Sequence, residues 1–99
     1  MNGVDMFTDE NGMTLYVYDL DHMGTSTCYG NCADKWPAYL HKENDVLAEG
    51  WTLVKRTEGS MQLAYLGKPT YLFTGDKSKG DMHGDGVDGV WHLLKGWGA

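Results

Sequence analysis

One stretch of this chain occurs twice, which restricts the fold to arrangements in which two similar halves pack on each other. Gly12-Met-Thr-Leu-Tyr16-Val-Tyr18-Asp-Leu-Asp21 returns 55 positions later as Gly67-Lys-Pro-Thr-Tyr71-Leu-Phe73-Thr-Gly-Asp76. After one inserted residue the offset becomes 56, so Gly24 matches Gly80, Gly30 matches Gly86, Cys28 falls on Gly84 and Cys32 on Asp88. Trp36 and Trp91 close the copies at the original offset. A unit that keeps its aromatic, Asp, Gly and Trp positions in order is a structural module. The copies cover about residues 4–40 and 58–95 of a single domain, 1–99, since either half alone buries too little apolar surface to be stable.

Within each copy the local pattern is a hairpin. Residues 4–8 and 13–18 flank Asn11-Gly12, which supplies the positive φ angles of a tight turn. Residues 60–65 and 69–73 flank Leu66-Gly67 in the same layout. Period-two alternation puts Leu15 and Val17 on one face and Tyr16 and Tyr18 on the other, with Tyr71 and Phe73 on the equivalent face. Residues 51–56 and 87–94 read as further strands. Helical signal is limited to one turn at 32–36, stopped by Pro37, and another at 45–48. The expectation is an all-β domain, a small sandwich or barrel with a minor short helix, with residues 40–50 as a polar connector.

Charge removes some partners. Fourteen acidic residues against eight basic ones give −6, the wrong sign for nucleic acid and for an anionic membrane surface. Cations remain the natural small partners, although the same charge also keeps a small domain soluble. No run approaches the roughly 20 apolar residues of a membrane span. The start of the chain lacks a basic-then-apolar leader, so a targeting segment is expected upstream.

The pattern Tyr-x-aromatic-x-x-Asp stands at Tyr16, Tyr18 and Asp21 and again at Tyr71, Phe73 and Asp76. Together with Cys28-Tyr-Gly-Asn-Cys32, Lys35-Trp36-Pro37, Gly67-Lys-Pro and Gly89-Val-Trp-His92, it resembles the bacterial secreted-repeat family of predicted lipoproteins. The resemblance runs from about Phe7 to Leu94. It implies an extracytoplasmic protein, periplasmic, lipid-anchored or secreted, with an envelope protein as one kind of partner. It assigns no biochemical role. The chain departs from the family pattern at Thr70, where Leu is usual, and at Asp85, where a neutral amide is common.

Three constellations carry candidate chemistry. Cys28 and Cys32 are the only cysteines, and an even count in the oxidising compartment that the resemblance implies fits a disulfide. The same pair also suits a copper site or a redox, electron-transfer accessory role. In the second Gly-rich loop Asp76, Asp81, Asp85 and Asp88 offer oxygens to Ca²⁺, or cap their own turns. His22, Met23, Met82 and His83 form a soft set suited to copper, or are exposed and gap-filling residues. His92 reads as a packed or surface residue, and His41 carries no role. No nucleophile elbow, phosphate loop or haem-attachment motif is present, so the chain reads as a non-catalytic binding or structural module.

Overall fold

The computed structural model describes residues 5–42, 47 and 49–96. The helical turn expected at 45–48 lies, apart from residue 47, outside the described residues. Among them the strands are β1 (Asp5–Met6), β2 (Tyr16–Tyr18), β3 (Trp51–Lys55), β4 (Met61–Tyr65), β5 (Lys68–Pro69), β6 (Trp91–Leu93) and β7 (Lys95–Gly96). One short helix, α1 (Asn31–Lys35), and one 3₁₀ turn (Val87–Gly89) accompany them. The strands form three small antiparallel sheets, β1–β7, β2–β6 and β3–β4–β5. The fold is a small all-β one, and the described strands do not close into a barrel.

Both expected hairpins form, and one strand expectation is corrected. The second hairpin forms, with Tyr65 opposite Lys68 and Leu66 and Gly67 both left-handed at φ 52° and 86°. The first forms too, as the bridge between Thr8 and Thr14 with Asp9 N bonded to Met13 O and Leu15 N to Phe7 O, while β1 and β2 take the C-terminal strands β7 and β6 as their ladder partners. The strand expected at 87–94 is split. Asp88 is left-handed at φ 53°, which curls residues 87–89 into the 3₁₀ turn before β6 begins.

The repeats meet about an approximate twofold axis that passes between Tyr16 and Tyr71. These equivalent residues exchange both backbone bonds, Tyr16 N to Tyr71 O at 2.8 Å and Tyr71 N to Tyr16 O at 2.9 Å. Other bonds come in mates. Asp19 N donates to Val90 O, as Thr74 N does to Lys35 O, and Leu94 N donates to Leu15 O, as Tyr39 N does to Thr70 O. Gly24 N reaches Gly67 O just as Gly80 N reaches Gly12 O. Every one of these joins one repeat to the other. The halves are therefore interlocked rather than stacked side by side.

The core follows from that interlocking. Tyr18, Trp91, Trp36 and Phe73 form one continuous stack, with ring centroids 4.1, 3.8 and 4.2 Å apart in that order. The order alternates between copies and is unchanged by the twofold. Tyr16 sets its edge against Trp36 at 5.3 Å, and Tyr71 against Trp91 at 5.2 Å. Such pairs add about 0.5–1.5 kcal/mol each beyond the area they bury. A second aromatic group, Phe7, Trp51 and Tyr65, packs the residue after β1 against the three-stranded sheet.

Candidate functional site

The motif tyrosines and aspartates are joined across the repeats. The Tyr16 hydroxyl donates to Asp76 Oδ2 at 2.7 Å, and the Tyr71 hydroxyl donates to Asp21 Oδ2 at 2.7 Å. Each aspartate also ties its own loop: Asp21 Oδ1 accepts from Thr27 N at 2.8 Å, and Asp76 Oδ1 from the equivalent residue, His83 N, at 2.9 Å. Both tyrosines are wholly buried and Asp76 is nearly so. Burial, reinforced by the bond to Asp76, pushes the Tyr16 phenol well above its usual range. Burial does the same to Tyr71, with Asp21 adding to it.

Loop conformation differs between the copies where the sequence does. The Cys28 and Cys32 sulfurs are bonded to each other, with Cys28 fully buried beside the aromatic core, so the pair presents no thiolate. In the second copy Gly84 takes the place of Cys28, and a Cβ there would fall 2.5 Å from the Trp36 ring and 2.9 Å from Tyr16. The Gly84 N–H donates instead to the Tyr16 hydroxyl at 3.1 Å. Sequence reasoning missed Arg56, the single arginine. Its buried guanidinium donates to Ser26 Oγ, Gln62 Oε1 and the Cys28 carbonyl and lies 4.2 Å over the Tyr29 ring. Ser26 Oγ in turn meets the Tyr71 hydroxyl at 2.5 Å, which links Arg56 to the motif. The solitary arginine at the end of a strand was the one available hint.

Of the oxygen set, Asp76 and Asp81 come together and are joined by His83, one ligand atom from each lying within 4.8 Å of the others. Asp85 and Asp88 remain exposed outside that group. Asp81 Oδ2 accepts from Lys77 N at 2.9 Å and Ser78 N at 3.0 Å, and these bonds hold its carboxyl below the usual range. The His83 Nε2 lies 3.6 Å from the same oxygen. Much of the acceptor capacity of both carboxylates thus caps turns. Of the soft set, Met23 sits over Gly67 beside the second repeat's turn, whereas Gly80 and Asp81, just before Met82 and His83, bond to Gly12 and Thr14 of the first. His92 pairs with Asp19 at 2.7 Å on the surface.

Two grooves flank the core as twofold mates. One, of about 160 Å³, is lined by Tyr18, Asp21, His22, Met23 and Lys68. The other, of about 220 Å³, is lined by Met13, Pro37, Leu72, Phe73 and Asp76. Each has one end of the four-ring stack as its floor and a motif aspartate in its wall. Among the described residues no helix is long and apolar enough to cross a membrane.

A duplicated, interlocked, disulfide-bearing small β domain defines the class: a repeat module of the kind found outside the cytoplasm, where such bonds persist. The profile of a family described as a secreted repeat of unknown function matches residues 5–39 and 49–95, and the chain belongs to that family. The first matched segment lies within the first repeat and the second covers the second repeat together with β3, and the family's secreted character places the chain outside the cytoplasm. No curated protein and no solved structure shows significant similarity to it.

Proposed function

We propose that the chain is a non-catalytic binding module of the bacterial envelope, lipid-anchored or periplasmic, in which the recurring motif is a folding device and exposed loops engage partners. The reciprocal Tyr16–Asp76 and Tyr71–Asp21 bonds support this reading most strongly. The motif tyrosines and aspartates that recur between copies join the copies to each other. A catalytic reading would need an activated nucleophile or a proton-transfer pair facing a cleft, and the motif phenols are instead held protonated inside. A panel of hydrolase and oxidoreductase substrates tests this. Turnover abolished by replacing an exposed residue such as His92 would contradict it.

The grouping of Asp76, Asp81 and His83 favours a second reading, in which this loop holds a cation. Two carboxylates and an imidazole suit a divalent transition ion better than Ca²⁺, which takes six to eight oxygens. Melting curves with EDTA, Ca²⁺, Mn²⁺, Zn²⁺ and Cu²⁺ decide it, since an ion that prefers the folded state raises Tm. A rise with one transition ion that disappears in Asp81→Asn supports the cation site. No response to any ion removes it and leaves the module reading intact.

A further inference from the structure

The two grooves at the ends of the ring stack are mates in position but not in charge. At the offset of 55, Tyr18 in the first corresponds to Phe73 in the second, Asp21 to Asp76 and Lys68 to Met13. The first groove therefore carries an ammonium group of its own, Lys68, in a wall that also holds Asp19 and Asp21. The second has Asp76 and Asp9 in its wall and no lysine or arginine among its described lining residues. Lys79, whose stem lies over Gly12, is outside that wall. Two carboxylates thus stand beside an aromatic ring and the apolar side chains of Met13, Pro37 and Leu72, without the positive charge that the twin groove draws from its own chain. The net charge of −6 adds a field of the same sign.

We propose that this second groove binds a small methylated ammonium ion, seated on Phe73 with its charge toward Asp76 and Asp9. The carboxylates select against a ligand with N–H groups. Asp76 Oδ2 accepts from the Tyr16 hydroxyl and Oδ1 from His83 N, and Asp9 Oδ1 accepts from Asn11 N and Met13 N. Three of the four carboxylate oxygens are thus already engaged. A primary ammonium brings three donors that would leave water without finding enough acceptors here. A quaternary ammonium donates no hydrogen bond, so charge and contact with the ring suffice for it. Phe73 is held in place by its stacking on Trp36 at 4.2 Å, and the apolar side chains meet the methyl groups. The volume of about 220 Å³ equals that of about seven waters at about 30 Å³ each, hence a ligand of about seven non-hydrogen atoms. Choline is of that size. Asp76 also belongs to the Asp81–His83 group, but neither Asp81 nor His83 lines the groove, so the two sites stand or fall separately.

The test titrates the full chain with choline chloride and with dimethylbutanol, its uncharged isostere with carbon in place of nitrogen. Calorimetry and methyl NMR follow binding at about 0.15 M sodium chloride, where exposed charges are screened. Choline should bind saturably at one site, about tenfold or more tighter than the alcohol. The Met13 and Leu72 methyl signals should move while that of Met23, in the twin groove, stays still. Met13→Lys, which copies Lys68 of the twin groove, should abolish binding. Should that variant fail to fold, the choline methyl protons must show nuclear Overhauser contacts with the Phe73 ring of the unaltered protein. Binding should be the same in EDTA, which separates the groove from a transition ion held by the loop. No saturable binding, equal affinity for choline and the alcohol, binding that survives Met13→Lys or is lost in EDTA, or signals that move only beside Tyr18 would each overturn the proposal.

Discussion

Tyr16→Phe removes a single oxygen but unpairs two buried groups. The Tyr16 hydroxyl donates to Asp76 and accepts from the Gly84 N–H, and among the described residues no other donor bonds Asp76 Oδ2. A hydrogen bond to a charged acceptor contributes about 1.5–3 kcal/mol, and a stranded buried donor costs about 1–3 kcal/mol. A net loss of about 3 kcal/mol follows, or about 15 °C in Tm for a domain of this size. Tyr71→Phe should cost less, about 1.5 kcal/mol. Asp21 keeps both bonds from Thr27, and Ser26 keeps its bond from Arg56. Urea melts at pH 7 should thus rank Tyr16→Phe below Tyr71→Phe and both below wild type. The pH dependence has a fixed sign. Both phenols titrate higher folded than unfolded, so their contribution is complete below about pH 10 and declines as pH rises past the unfolded value. Tyr16→Phe should flatten that alkaline decline. Two variants within about 0.5 kcal/mol of wild type, with unchanged alkaline slopes, would show that the phenols carry no such load.

Three further outcomes follow from the same contacts. Reducing the Cys28–Cys32 bond should lower stability by about 2 kcal/mol in denaturant melts, while the far-ultraviolet spectrum stays native, because the second repeat forms its loop without a bridge. Gly84→Ala should cost about 2–3 kcal/mol by overpacking, since its Cβ would meet two aromatic rings at once. The face-to-face Trp36 and Trp91 rings, inclined by only 2°, should give an exciton couplet in circular dichroism that vanishes in Trp36→Phe.

Much of the fold is legible in the sequence because duplication, turn residues and strand alternation are local signals. The turn at Leu66-Gly67, the helical turn before Pro37 and the shared aromatic face all come from residues near one another. What is hidden is which copy a motif residue pairs with. Tyr16 to Asp21 and Tyr16 to Asp76 are equally good readings of a repeated string, and only three-dimensional packing separates them. The same limit affects the acidic loop. Left-handed residues at Gly80, Gly86 and Asp88 turn its chain so that His83 joins Asp76 and Asp81 while Asp85 and Asp88 face solvent. Spacing alone grouped the four aspartates and set His83 with the methionines. The ladder partners of the first hairpin's strands are hidden for a comparable reason. Alternation identifies a strand, but it does not say that β2 prefers β6 over its neighbour in sequence.

A double-mutant cycle separates interlocked halves from halves that fold on themselves. Tyr16→Phe should couple to Asp76→Asn by at least about 1 kcal/mol, and to Asp21→Asn by no more than the roughly 0.3–0.5 kcal/mol seen for independent sites. Coupling concentrated in the Tyr16–Asp21 pair, with none across to Asp76, would mean that each repeat satisfies its own motif and that the twofold exchange is wrong.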